Sequence, residues 1–288
     1  MEGIDPDCVD WPAVRGATYR IDQALAYEYD SPIRDLRHRL VISPRARHGD
    51  QRRLNYRLWT SEGISCAAGV DRFGNTVAEL AAERIERGIT FSLEATVRRR
   101  SFTAPHTVAA AEVMYPAWLR MRRMIRPDAA LAAAAAELTA LYRDERDRAE
   151  AIVQFVNESL TYTKGVTDVF TTASVAYSMR RGVCQDFAQV TIAIARACGL
   201  HARYVSGHLI GEGATHAWVE ILIPERDDRC AVFAYDPTYG CSTNLRYVTV
   251  AVGRDYEDVA PTSGVFIGTS AGRLRGTQQV TLVDVEAA

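Results

Sequence analysis

The segment from Cys184 to Cys198 constrains the fold more than any other part of the chain. At about 100° per residue, Gln185, Gln189 and Arg196 fall within about 40° of one another, with Asp186 to one side. Phe187, Ala188, Val190, Ile194 and Ala195 make the rest of the surface apolar or small. A helix with so narrow a polar stripe must be surrounded by other elements. The spacing therefore predicts a helix buried at the centre of its domain, with Gly199 as its stop. Its first residue is a cysteine. A thiol there meets the positive end of the helix and its unpaired N–H groups, which favour thiolate over thiol and can donate to a developing oxyanion.

The chain has 288 residues, enough for one large domain or two ordinary ones at roughly 100–200 residues each. From Thr18 to Phe102 the text is strand-like. The runs Tyr19–Tyr29, Arg39–Ile42, Leu54–Thr60 and Ile89–Val97 are separated by Asp30-Ser31-Pro32, Ser43-Pro44 and Phe73-Gly74-Asn75. This predicts a β-rich module, a small sandwich or barrel, over residues 14–105. Periodicity fades over 106–127, read as a linker, and the cluster Arg120, Arg122, Arg123 and Arg126 within it as a solvated face. Residues 128–262 form the core: helices over Asp128–Tyr142 and Asp144–Leu160, the central helix, then strands at Ala202–Ile210, His216–Ile223 and Ala231–Asp236. Residues 263–288 read as a final pair of strands. The class is α+β.

Charge and composition remove several functions. Thirty-four basic residues against 36 acidic leave a net charge of −2, which excludes a strongly basic nucleic-acid binder and an acidic disordered tail. The longest nearly apolar run, Ala129 to Ala136, is far too short to span a bilayer, and no basic-then-apolar leader opens the chain. A cytoplasmic protein with no membrane partner is expected. Cys8, Cys66, Cys184, Cys198, Cys230 and Cys241 show no CxxC pair, so they read as reduced thiols rather than as disulfides or a zinc site. His201 and His208 read as structural, and neither metal nor cofactor is expected.

A nucleophilic cysteine needs a base, and the base an orienter. If His216–Ile223 and Ala231–Asp236 form a hairpin with Ile223 opposite Ala231, Asp236 falls opposite Trp218. His216 and Asp236 then lie diagonally on one face, within reach of each other. A slip of one residue would undo this. In that register the chain offers Cys184 as nucleophile, His216 as base and Asp236 as orienter. Gln185, next to the nucleophile, and Trp218, which alternates with His216, are the candidate substrate-binding residues. A solvated face for Gln185 and a packed core for Trp218 are the plain alternatives.

These residues also carry a family resemblance. Gly182-Val183-Cys184-Gln185-Asp186-Phe187-Ala188, then Arg196-Ala197-Cys198-Gly199-Leu200 and Ala202-Arg203, resembles the nucleophile segment of bacterial transglutaminase-like proteins. Thr215-His216-Ala217-Trp218-Val219-Glu220 resembles their histidine segment, and Tyr235-Asp236-Pro237-Thr238 their aspartate segment. Leu160 to Gly165 and Val252 to Val259 match the flanks, while Ser43-Pro44-Arg45, Gln51 and Phe73-Gly74-Asn75 are similar to the N-terminal module of this group. Two departures stand out: Arg229-Cys230-Ala231 where a tryptophan often precedes the aspartate strand, and His208 where relatives often have tyrosine.

The resemblance implies a papain-like, transglutaminase-like core in which Cys184 attacks an amide carbonyl and His216 protonates the leaving amine. The thioester then passes to water or to an amine. Hydrolysis of a peptide, protein or small amide is favoured, because a packed N-terminal module narrows the approach of a second protein's lysine. An amide-forming transferase with an amine acceptor is the alternative, and a non-catalytic binding module a second one. A metal-dependent hydrolase has little support in the spacings.

Overall fold

Period-two alternation builds the first third of the chain. In β1 (Val14–Glu28), Tyr19, Ile21, Gln23 and Leu25 turn inward while Arg20 stays in solvent. There follow β2 (Ile33–Leu40), β3 (Arg47–His48), β4 (Gln51–Thr60), β5 (Ala67–Val70), β6 (Thr76–Ile85) and β7 (Gly88–Arg100). The computed structural model describes residues 3–61, 63–101, 105–110 and 116–287. β2 does not run on to Ile42 as the apolar run predicts. Val41 and Ile42 are buried, but the Val41 N–H donates to Pro261 O at 2.9 Å and the chain leaves the ladder there.

The core then adds β8 (Thr107–Ala109), α1 (Ala129–Leu141), α2 (Glu145–Ser159), β9 (Thr161–Tyr162), α3 (Ala173–Met179), β10 (Arg181–Gly182) and α4 (Cys184–Ala197). After it come β11 (His201–Leu209), β12 (Thr215–Pro224), β13 (Arg229–Asp236), β14 (Cys241–Ser242), β15 (Tyr247–Gly253) and α5 (Tyr256–Val259). Two long-range strands close the chain, β16 (Thr262–Ile267) and β17 (Arg273–Ala287).

α4 sits where its narrow polar stripe requires. Every side chain from Asp186 to Arg196 is buried, and Ala217, Val219 and Ile221 of β12 share its apolar cluster. The polar stripe is occupied by backbone rather than solvent. Arg196 donates to Ala202 O, Arg120 O and Arg254 O at 2.7–3.1 Å, and Gln189 donates to Thr171 O at 3.2 Å. Burial pushes the Arg196 guanidinium down to about 9.

The core sheet runs β14-β13-β12-β11-β15, with β8 added on β13. The stretch expected as a linker thus supplies an edge strand, and Met124 and Ile125 lie fully inside the core cluster. Arg122 of the same stretch binds buried Asp255 at 2.8 Å, and Arg123 binds Glu257 at 2.8 Å. The last two strands do not pair with each other. β16 joins the sheet β16-β2-β6-β5, and β17 joins β17-β1-β7-β4-β3. These two sheets share one apolar core, so the C-terminus completes the N-terminal module as a sandwich. The whole is α+β, with antiparallel sheets apart from the short parallel pair β9–β10. Among the described residues no helix is long and apolar enough to cross a membrane.

Side-chain amides fasten the module to the edge strand β15. Gln51 donates to Thr249 O at 2.6 Å and accepts the Thr249 N–H at 2.8 Å. Asn75 repeats the pattern on Val252, at 2.7 and 2.8 Å, and is fully buried. Gly74 before it has φ +78°, the left-handed turn that lets Asn75 reach. Tyr19 donates to Leu245 O at 2.5 Å, so β1 holds the same stretch of chain. Asn75→Ala leaves an N–H and a carbonyl of β15 buried without partners. It should cost about 2–4 kcal/mol, read as a lower urea midpoint with little change in m.

Candidate active site

α4 begins where two short strands end. Arg181 and Gly182 of β10 pair with Thr161 and Tyr162 of β9, and the Thr163 N–H donates to Gly182 O at 2.8 Å. This fixes the approach to Cys184, the first residue of α4, whose side chain is partly exposed. Val183 at the N-cap has no side-chain oxygen, so the cap comes from Asp186. Its Oδ2 accepts the Val183 N–H at 2.8 Å and the Thr167 hydroxyl at 2.7 Å. Burial pushes the Asp186 carboxyl up. A Cβ on Gly182 would stand 2.5 Å from Asp186 Oδ2, so the glycine lets this carboxylate close over the helix start.

β12 and β13 bring the other two groups. Their register is the one the hairpin argument assumes, Ile223 opposite Ala231 and on without a slip to Val219 opposite Tyr235. His216 Nε2 stands 2.6 Å from Asp236 Oδ2, with the imidazole 3% exposed and the aspartate 0%. Burial pushes the imidazole down. The hydrogen bonds and charges of Asp236 and Cys184 outweigh it and hold His216 up at about 10. The structure therefore brings Cys184, His216 and Asp236 together from three different elements.

Several neighbours carry no signal in the sequence. Tyr247 donates its hydroxyl to Asp236 Oδ2 at 2.9 Å, and the Thr238 N–H donates to Asp236 Oδ1 at 2.9 Å. Asn157 of α2 donates to Pro237 O and Thr238 O at 3.0 and 2.9 Å, pinning the loop after the aspartate. Glu212 Oε2 lies 3.4 Å from His216 Nδ1, and the Tyr239 hydroxyl donates to the other oxygen of that carboxylate. Only Thr238 could have been read from spacing, as the third residue of an Asx turn at Asp236-Pro237. Tyr247→Phe removes one donor from a buried carboxylate. Catalytic efficiency should fall roughly 10–100-fold, the size of a charge-assisted hydrogen bond, and the thermal midpoint should fall with it.

Of the two candidate substrate-binding residues, Gln185 is half-buried beside Cys184, its Nε2 3.4 Å from Asp168 O. Trp218 is 1% exposed and stacks behind His216, ring centroids 6.3 Å apart. It fits because Gly207 has no Cβ: one there would meet the indole at 2.4 Å. Cys198 and Cys230 are buried, while Cys241 is exposed with Sγ 3.9 Å from the Tyr247 hydroxyl. His208 is buried on β11, and burial pushes it down to about 4. His201 is half-buried.

The arrangement can perform covalent acyl chemistry. The sulfur lies at a helix N-terminus whose first N–H groups have no intrahelical acceptor. The imidazole lies beside it and is bound to a fixed carboxylate, the arrangement that a nucleophile, base and orienter would need.

Two regions of the chain match known family models. Residues 132–236 match the family model of the transglutaminase-like superfamily, and residues 19–98 match the bacterial transglutaminase-like N-terminal region. An uncharacterised protein of Mycobacterium leprae is 29% identical over 286 residues, spanning 91% of this chain and 98% of that protein. Another, from Mycobacterium bovis, is 40% identical over 121 residues, 38% of each chain. A proposed cysteine protease from Cytophaga hutchinsonii superposes with a TM-score of 0.77 at 20% identity, over 95% of this chain and 93% of that one, a likeness of fold. The two matched regions follow one another as the module and the core do, so the chain carries a transglutaminase-like core region behind a bacterial transglutaminase-like N-terminal region.

Proposed function

We propose that the protein is a cysteine-dependent amidase or peptidase that works through a thioester on Cys184. The observation that carries this reading is the imidazole of His216, held between the thiol of Cys184 and the buried carboxylate of Asp236. Cys184 Sγ attacks the amide carbonyl, and the C–N bond breaks as His216 gives its proton to the leaving amine. Water then attacks the thioester, His216 takes its proton, and the C–S bond breaks to free the acid and the Cys184 thiolate. Asp236 keeps its charge throughout and holds the ring. Gln185 beside the sulfur is the candidate contact to substrate, and Trp218 backs the ring that must transfer the proton.

Water as the acceptor is favoured by the way the molecule closes around the site. The N-terminal module grips the stretch that carries Tyr247, and Glu212, held by Tyr239, lies beside Nδ1 of His216. Transfer to an amine uses the same thioester, and the Glu212 carboxylate is the feature that suits a cationic acceptor. Six free thiols fit a reducing compartment such as the cytoplasm. The test supplies casein with a fluorescent amine and follows amine incorporation, ammonia and new peptide ends in parallel. Cleavage in excess of incorporation is expected. Strong incorporation without net cleavage would replace this reading with a transferase.

A further inference from the structure

A second cluster of ligating side chains lies where the N-terminal module meets the core sheet. Glu220 shares the face of β12 that carries His216 and Trp218, and it lines a cavity of about 450 Å³ with His48 and His106. The three come from distant parts of the chain: β3, the stretch before β8, and β12. One ligand atom from each lies within 4.8 Å of the others, and the two imidazole rings stand 5.5 Å apart.

The cluster is built rather than incidental. Glu220 is 2% exposed, its Oε2 accepting Arg203 Nε at 2.6 Å and its Oε1 standing 2.6 Å from His48 Nε2. The His106 carbonyl accepts the Val232 N–H at 2.9 Å, which ties that residue to β13. Gly49, at φ +53°, makes room for the second ring: a Cβ there would stand 2.6 Å from His106 Nδ1.

We propose that His48, His106 and Glu220 form a zinc site, with Glu220 Oε1, His48 Nε2 and one ring nitrogen of His106 as ligands. Two imidazoles and one carboxylate make a three-ligand set of the kind that leaves zinc a fourth position for water. His48 binds as the Nδ1–H tautomer. Arg203 neutralises part of the carboxylate and Arg45 lies close enough to act on His48, so little negative charge is left for a hard ion. Mg²⁺ and Ca²⁺ need several oxygens and are excluded on that ground, whereas Zn²⁺ bonds well to neutral nitrogen. The site lies apart from the acyl chemistry. It would clamp the module and the 106–110 stretch onto the strand that carries His216.

The test uses metal-free Cys184→Ala protein, so that the thiol beside His216 cannot take the ion. Titration with Zn²⁺ is expected to show one equivalent bound and a raised thermal midpoint, with no response to Mg²⁺. Co²⁺ should give a tetrahedral visible spectrum without a thiolate charge-transfer band. Adding His106→Ala leaves the Glu220–His48 and Glu220–Arg203 contacts in place. It should weaken Zn²⁺ binding by more than about 100-fold, beyond the roughly 10–100-fold that loss of an outer partner costs. Where that variant does not fold, His106→Gln gives the same comparison. Absence of stoichiometric Zn²⁺ binding, unchanged affinity on loss of His106, or a thiolate band with Co²⁺ would each overturn the proposal.

Discussion

Cys184→Ala is expected to abolish turnover while leaving the fold intact. The thiol is partly exposed at the first residue of α4, and alanine is the best helix former, so the change removes one sulfur from the edge of the core cluster. The cost in stability should stay near 1 kcal/mol. The helix start is held by Asp186 on Val183 and by the β9–β10 pair, neither of which involves the sulfur. Chemically the loss is complete, because no other side chain touching His216 can form a thioester. The rate of amide cleavage should drop by at least about 10⁴-fold, with circular dichroism and the thermal midpoint little moved. Activity near that of the unaltered protein would remove the covalent role of Cys184.

His216→Ala should be nearly as damaging, and Asp236→Asn should separate from it. Without the imidazole, nothing gives a proton to the leaving amine. In Asp236→Asn the side-chain carbonyl can still accept the Thr238 N–H and cap the turn, so a residual rate roughly 10²–10⁴-fold below the starting one is expected. The pH profile distinguishes orientation from mere structure. Asp236 and Cys184 hold His216 protonated up to about pH 10, so the imidazolium needed as acid is present across neutral pH and is lost as pH rises through 10. The alkaline fall of kcat/KM should therefore lie near pH 10. Removing the charge of Asp236 takes away an interaction that favours the protonated ring, so the fall must move to lower pH. A folded Asp236→Asn with an unmoved alkaline limb would show that the carboxylate does not act through the imidazole.

The parts of this site that could be read from the sequence are those governed by short-range periodicity. The 3.6-residue stripe of α4 gave its burial and put Cys184 at its start, and the two-residue alternation of β12 and β13 gave the diagonal of His216 and Asp236. α1 and α2 fall within a residue or two of their expected ends, with Asp128 and Asp144 as N-caps. Long-range closure was not legible. β17 pairs Val14 with Ala287 across nearly the whole chain, and its alternation is faint because only Leu282 along it is fully buried. β6, rich in alanine and glutamate, has no strand-like composition and is a strand because β2 and β5 flank it. Tyr247, Glu212 and the amides of Gln51 and Asn75 act through contacts that no local pattern encodes.

The central claim is a covalent intermediate on one sulfur. Rapid mixing of the unaltered protein with an activated amide, quenched in acid and read by intact mass and peptide mapping, tests it most directly. One acyl group on Cys184 is predicted, released by hydroxylamine as a thioester is, and absent from Cys184→Ala. Turnover with no acylated protein at any time, or an acyl group on another residue that is retained in Cys184→Ala, would contradict the account.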